Sequence, residues 1–363
     1  MKTNIPANKN LKDIEPYMPG KASISIGKKK VIKLSANESP LEFSKKTSNK
    51  INNIKIDFIK YPDPVCNTLR LKIQNLYKIK SRNLIFGNGS DEIFFLIAYA
   101  YLNKSLNAIY SKHGFLIYPI AIKAAGAKGI FANETNLRTD VSKIIDKCNN
   151  KTRVCFIANP NNPTGTYITK SEVKKLREGL PEKCLLVIDA AYSEYVESSD
   201  YSDCINYAKK RDDIVVTHTF SKIFGIPSLR LGWAYCPEQV ANHLNKIRPA
   251  FNVNTYAQEV AKILIEDKDF IEKSVYHNTF WKNYLCKELK KLNIDFEKGV
   301  ANFVLLKLKT KLEAKNLADF LEKNMILVRK LEKYKLSNCI RVSIGKENEN
   351  KKLIQIIKKW KIK

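Results

Sequence analysis

Apolar and polar positions along the chain change texture twice. Between about 84 and 236, short apolar runs alternate with longer stretches of helical pattern. LIFG (84–87), NAIYS (107–111), KGIFAN (128–133), VCFIAN (154–159), LLVIDA (185–190), IVVTHTF (214–220) and LGWAYC (231–236) read as strands. Most are continuous apolar runs, not alternating ones, as expected of a sheet covered by helices on both faces. DEIFFLIAYAYL, FLIYPIAIKAAG and stretches near 140–148 and 170–178 are the intervening helices. The pattern predicts an α/β fold with a mostly parallel central sheet, whose ligands bind beyond the carboxyl ends of the strands.

On either side the texture differs. Residues 1–35 are polar, are broken by PYMPG (16–20), and read as an extended arm. Charged helical patterns fill 237–293. The strands NFVLLKL (302–308), ILVR (326–329) and CIRVSIG (339–345), with helices at 312–323 and 347–360, then suggest a smaller α+β domain. The expected division is an arm at 1–35 packing on the small domain, a large domain at 36–245 and a small domain at 246–363.

The 363 residues suffice for two cores. Lys+Arg is 64 against Asp+Glu 36, a formal net charge of +28. This raises nucleic acid as a partner. The positives, however, are spread along the chain, Arg supplies only 10 of the 64, and no helix-turn-helix, zinc-finger or RNP pattern accompanies them. A solvated lysine-rich surface without nucleic-acid or membrane partners is the expectation. None of the eight cysteines forms a CxxC pair or a zinc-type cluster with histidine. Reduced buried thiols in a cytoplasmic protein are expected, with no metal. The N-terminus lacks the apolar segment of a signal peptide.

Four motifs fall at strand ends. GNGSDE (87–92) joins a strand to a helix and presents amide groups suited to phosphate. In NPNNPTG (159–165), two prolines and a glycine enforce an irregular loop. LLVIDAAYSEY (185–195) ends an apolar strand on Asp189, a carboxylate that needs a cation or hydrogen bonds. THTFSKIFGIPSLRLGW (217–233) sets Lys222 among Phe220, Ile223, Phe224 and Ile226, the surroundings that yield a neutral, nucleophilic amine.

The order Asn162, Asp189-x-x-Tyr192, Ser221-Lys222, Arg230, with separations of 27, 33 and 8 residues, resembles fold-type I pyridoxal 5′-phosphate (PLP) enzymes. The flanking segments IEPYMPGK (14–21), KLSANESP (33–40), KYPDP (60–64), HGFLIYP (113–119), NFVLL, ILVR and IRVSIG are similar to those of histidinol-phosphate aminotransferases over essentially the whole chain. LEFS after SANESP, and Lys60, depart from that pattern.

The resemblance implies roles. Lys222 would hold PLP covalently and then move the substrate proton. Asp189 would pair with the ring nitrogen, Asn162 and Tyr192 would bond the ring oxygen, and Phe115 would stack on the ring. Thr219, Ser221, Arg230 and the amides of Ser90 and Asp91 would hold the phosphate. Tyr61 would reach that phosphate from a second subunit, making the active unit a homodimer. Arg341 would clamp a substrate carboxylate, Tyr17 and Arg329 would help bind a substrate phosphate, and Asn37 would shape the loop beside the substrate and belong to the substrate-binding set. The implied reaction is transamination between L-histidinol phosphate and 2-oxoglutarate in histidine biosynthesis. An aromatic amino acid aminotransferase and a threonine-phosphate decarboxylase are the alternatives on the same scaffold. His113 and His218 read as structural, and His243 and His277 as surface residues.

Overall fold

A computed structural model describes residues 5–20 and 31–362. Lys21, the last residue of the IEPYMPGK motif, lies outside the described residues, as does part of the arm. The chain enters the fold through β1 (Ile32–Leu34). The large sheet follows, with β2 (Leu84–Gly87), β3 (Asn107–Ser111), β4 (Lys128–Ala132), β5 (Thr152–Ala158), β6 (Leu185–Asp189), β7 (Ile214–Thr219) and β8 (Gly232–Tyr235). A second sheet holds β9 (Asp295–Glu297), β10 (Phe303–Lys307), β11 (Ile326–Lys330) and β12 (Cys339–Ser343).

The large sheet runs β2-β8-β7-β6-β5-β3-β4. Only β8 is antiparallel to its neighbours, so the sheet is the mostly parallel one expected. Its strands alternate between two cores. Ile109, Cys155, Ile157, Leu186, Ile188, Ile214 and Val216 face one side, and Ala108, Val154, Phe156, Leu185, Val187 and Val215 face the other. Both faces are dry, so no position along these strands had to be polar.

The second sheet has the order β1-β11-β12-β10-β9. β1 pairs parallel with β11, matching Ile32 to Ile326. The residues just before 36 thus form an edge strand of the small sheet. Earlier in the arm, a short 3-10 turn (Lys9–Asp13) meets the large unit instead, where Asn10 Nδ2 donates to the carbonyls of Lys123 and Ala124 at 2.8 and 3.1 Å. The expected boundary at 246 also shifts. The helix Thr255–Leu264 buries Ala257, Val260, Ala261 and Leu264 in the same core as β5–β7. Residues just past 245 therefore pack with the large sheet. The change of unit comes along the 24-residue helix Lys268–Lys291, which carries Trp281, Leu285 and Leu289 into the small core.

All eight cysteines are free, and seven are buried. No described helix is long and apolar enough to cross a membrane.

Candidate active site

The carboxyl ends of β2, β5, β6 and β7 open into a cavity of about 330 Å³, closed on the far side by the arm, β11 and β12. Its lining includes Tyr17, Asn37, Ser90, Asp91, Phe115, Asn162, Asp189, Tyr192, Thr219, Ser221, Lys222, Arg230, Arg329 and Arg341. Every site residue expected from the sequence is there except Tyr61. That side chain is 80% exposed on the outer surface, stacked on Phe251 with ring centres 4.5 Å apart.

Asp189 is the last residue of β6 and is buried. Tyr118 Oη donates to its Oδ2 at 2.8 Å, and the Ala191 amide to its Oδ1 at 3.2 Å. Thr217, one strand over, adds a longer bond at 3.4 Å. No lysine or arginine among the described residues forms an ion pair with this carboxylate, and burial pushes its pKa up to about 6 despite the Tyr118 bond. Sequence reasoning does not single out Tyr118. Its phenol among apolar neighbours in HGFLIYP is the one signal, since a buried tyrosine hydroxyl seeks a partner.

Lys222 follows β7, and its Nζ lies 3.3 Å from the Ala36 carbonyl and 5.8 Å from the Tyr192 ring. Burial, then the nearby Arg341, bring its pKa down to about 8. The amine is thus much closer to its neutral, nucleophilic form at physiological pH than a solvated lysine.

Below it, the helix Gly89–Tyr101 points its amino end at Arg230. Arg230 has φ +54° and is held by the Pro227 carbonyl at 3.1 Å, with Ser221 Oγ and Asp91 Oδ2 each at 3.5 Å. A Cβ on Gly89 would stand 2.7 Å from Arg230 Nη2, and one on Gly232 would overlap the Ser90 amide. Gly232 is required for the helix end to approach the strand this closely, and Gly89 holds a φ of +76° that favours glycine. First-turn amides, a guanidinium and two hydroxyls (Thr219, Ser221) then converge on one spot, the donor set of a phosphate site.

On the opposite wall, Arg329 of β11 and Arg341 of β12 are directly opposed in the antiparallel register. Both are buried. Neither forms an ion pair with a carboxylate among the described residues. Arg341 donates through Nη1 to Asn162 Oδ1 and through Nη2 to the Ser35 carbonyl at 2.9 Å, while its buried Nε has no partner. Arg329 donates to the Met18 carbonyl at 2.7 Å and sits 5.9 Å from the Tyr17 ring, which meets Phe115 edge-on. Two opposed buried cations repel each other and call for an incoming anion.

The histidines divide differently from expectation. His113 Nδ1 lies 2.6 Å from the Tyr334 carbonyl, and buried His218 stacks on Trp233 at 4.6 Å. Both lie outside the cavity lining, in keeping with structural roles. His243 and His277 are not simple surface residues. They are half-buried, bonded to Tyr101 Oη and the Gly345 carbonyl, each at 3.0 Å. The charge of their helices concealed the fact that each lies on the inward face.

Residues 29–357 match the family model for aminotransferase class I and II. The chain belongs to this family. It is 39% identical over 348 residues to a histidinol-phosphate aminotransferase of Maricaulis maris, covering 95% of this chain and 96% of the relative. It is 40% identical to that of Pelagibacter ubique, covering 98% of each. Among solved structures, this aminotransferase resembles the histidinol-phosphate aminotransferase of Clostridium acetobutylicum (TM-score 0.82, 25% identity, 92% of this chain and 99% of that one). It also resembles the Sinorhizobium meliloti histidinol-phosphate aminotransferase in complex with pyridoxal-5′-phosphate (TM-score 0.84, 20% identity, 91% and 92%). The aminotransferase cavity fits PLP on its own chemistry: a buried carboxylate without a cation for the ring nitrogen, an amine of lowered pKa, and a glycine-lined phosphate cradle.

Proposed function

We propose that this aminotransferase exchanges the amino group between L-histidinol phosphate and 2-oxoglutarate, with imidazole-acetol phosphate and glutamate as the other pair. Histidine biosynthesis would run the reaction from glutamate. The opposed pair Arg329–Arg341 carries this reading. The Arg230 cradle serves the cofactor's phosphate, so a second, separate cationic group implies a second anion on the substrate. A phosphate in one half-reaction and a carboxylate in the other both satisfy it.

Bound PLP supplies a ring that accepts the electrons of the substrate Cα–H bond. The chain's residues do the rest. Asp189 Oδ2, steadied by Tyr118, would hold the ring nitrogen protonated. Asn162 and Tyr192 would bond the ring oxygen and Phe115 would cover one face. Lys222 Nζ, once freed, would take the proton from Cα and return it one position away, a transfer favoured by a pKa near the working pH. The arm, through Tyr17 and the Met18–Arg329 bond, limits water at the substrate end.

Tyr61 supports a homodimer. Phe58 and Ile59 beside it are 90% and 91% exposed, an apolar cluster suited to burial against a second copy, and Arg230 remains open toward solvent. Tyr61 of one subunit would then reach the phosphate of the cofactor in the other. Mixing Tyr61→Phe subunits with Lys222→Ala subunits tests the sharing: one site per mixed dimer with both residues intact is expected if Tyr61 crosses over, and no such site if it does not.

The substrate reading is checked by absorbance. The purified protein should be yellow and should bleach with histidinol phosphate far more readily than with phenylalanine. A response to phenylalanine alone, or CO2 release from threonine phosphate, overturns it.

A further inference from the structure

The Tyr192 hydroxyl faces the cavity and is itself controlled from behind. Asn37 Nδ2 donates to Tyr192 Oη at 2.9 Å. Asn37 is almost wholly buried, with φ +56°, and its loop is fixed by Asn302 Nδ2 donating to its carbonyl at 3.0 Å. Ser343, at the end of β12, closes the chain of contacts. Its Oγ accepts the Asn37 amide at 2.8 Å and donates to Asn37 Oδ1 at 3.0 Å.

The polarity of this chain follows from the bonds of Ser343. Its Oγ accepts the Asn37 amide and gives its single proton to Asn37 Oδ1. That fixes the carboxamide with its NH₂ toward Tyr192. The phenol oxygen then accepts, so its own proton must point elsewhere, and the cavity is the open direction. Without Ser343 the amide could turn over, offer its oxygen to Tyr192 and draw the phenol proton out of the cavity.

We propose that Ser343, acting through Asn37, is a positioning residue that aims the Tyr192 proton at the ring oxygen of the bound cofactor. This rests on the assignment of the cavity to PLP. It adds to that assignment a link from the small sheet to the cofactor's hydrogen bonding. The residue with no contact to substrate or cofactor would thereby set how strongly the ring oxygen's negative charge is stabilised.

The test is a pH titration of the visible absorption band of the holoenzyme, with no substrate present. Ser343→Ala should raise the titration midpoint by about one unit, because the turned amide takes the Tyr192 proton and a donor to a charged oxygen is lost. It should also weaken PLP binding about tenfold. Asn37→Gly (which keeps the left-handed backbone) removes the competing acceptor and should leave the midpoint near wild type. Ser343→Thr, which keeps the hydroxyl, should match wild type. Tyr192→Phe should shift the midpoint in the same direction, and Tyr192→Phe/Ser343→Ala should shift it no further. A wild-type midpoint in Ser343→Ala, a midpoint raised by a full unit in Asn37→Gly, or an additive double variant overturns the proposal. If Ser343→Ala does not fold, Asn37→Asp, which offers Tyr192 only acceptor oxygens, should raise the midpoint in its place, and a wild-type midpoint there overturns the proposal. A wild-type protein that takes up no PLP and shows no visible band would instead overturn the PLP assignment.

Discussion

The two walls of the cavity are built on opposite plans. On the large-sheet wall, most functional groups sit at the last residue of a strand or within four residues beyond it: Asp189 ends β6, Thr219 ends β7, Ser90 follows β2, and Asn162 follows β5. Backbone amides and glycines do much of the holding there, and the contacts are local. On the small-sheet wall, Arg329, Arg341 and Ser343 come from two paired strands, and the arm they engage is about 310 residues away in sequence. The first wall is held by short-range contacts and suits a cofactor that stays. The second is assembled from distant pieces and carries unpaired positive charge, which suits a substrate that comes and goes and alternates between anions.

The largest effect expected from this contrast is at Lys222. Lys222→Ala should lower transamination by about four orders of magnitude while PLP remains bound through Arg230 and Asp189. Near-normal turnover in that variant would remove Lys222 from the chemistry. Next come the two anion sites. Arg341→Leu should lower kcat/KM about a hundredfold for both histidinol phosphate and 2-oxoglutarate with cofactor affinity intact, whereas Arg230→Leu should chiefly weaken cofactor affinity. If both variants lose cofactor equally, the walls are not functionally separate.

A third prediction concerns the apoprotein. The folded-state pKa of Asp189 is raised to about 6 from 3.8, so the folded state holds the proton more tightly than the unfolded chain does. Apoprotein stability should therefore fall as pH rises from about 4 through 6. Asp189→Asn should flatten that slope, and so should PLP, whose ring nitrogen compensates the charge. A thermal-melting series against pH measures this; an unchanged slope in Asp189→Asn would show that another group causes it. The smallest effect is electrostatic steering. With a formal charge of +28, kcat/KM for anionic substrates should drop several-fold between low and physiological salt, with kcat little altered.

The same contrast governs what can be read in the sequence. The strands of the large sheet inside its edge strand β4 are visible as apolar runs because both faces are buried, and LIFG and NAIYS match β2 and β3 residue for residue. The motifs at their ends identify the large-sheet half of the cavity. β1 escapes detection because it is three residues long and only one of them is fully buried. β9 is equally short and more exposed. Tyr118 and Ser343 are hidden for a different reason. Each acts on another side chain across the fold, and nothing in their own neighbourhoods records the partner. The register that opposes Arg329 to Arg341 is likewise a property of two strands, not of either one.

The pairing of Ile32 with Ile326 also bears on how the molecule is made. During synthesis the large sheet can close as soon as β8 has emerged, but β1 must wait for β11 before it has a neighbour. The wall proposed to receive the substrate is therefore the last to be completed, and it is completed by pairing β1 with β11. A fragment cut at the sequence boundary of 246 would lack an edge strand. An incomplete nascent chain would have its phosphate cradle formed before it had any site for substrate.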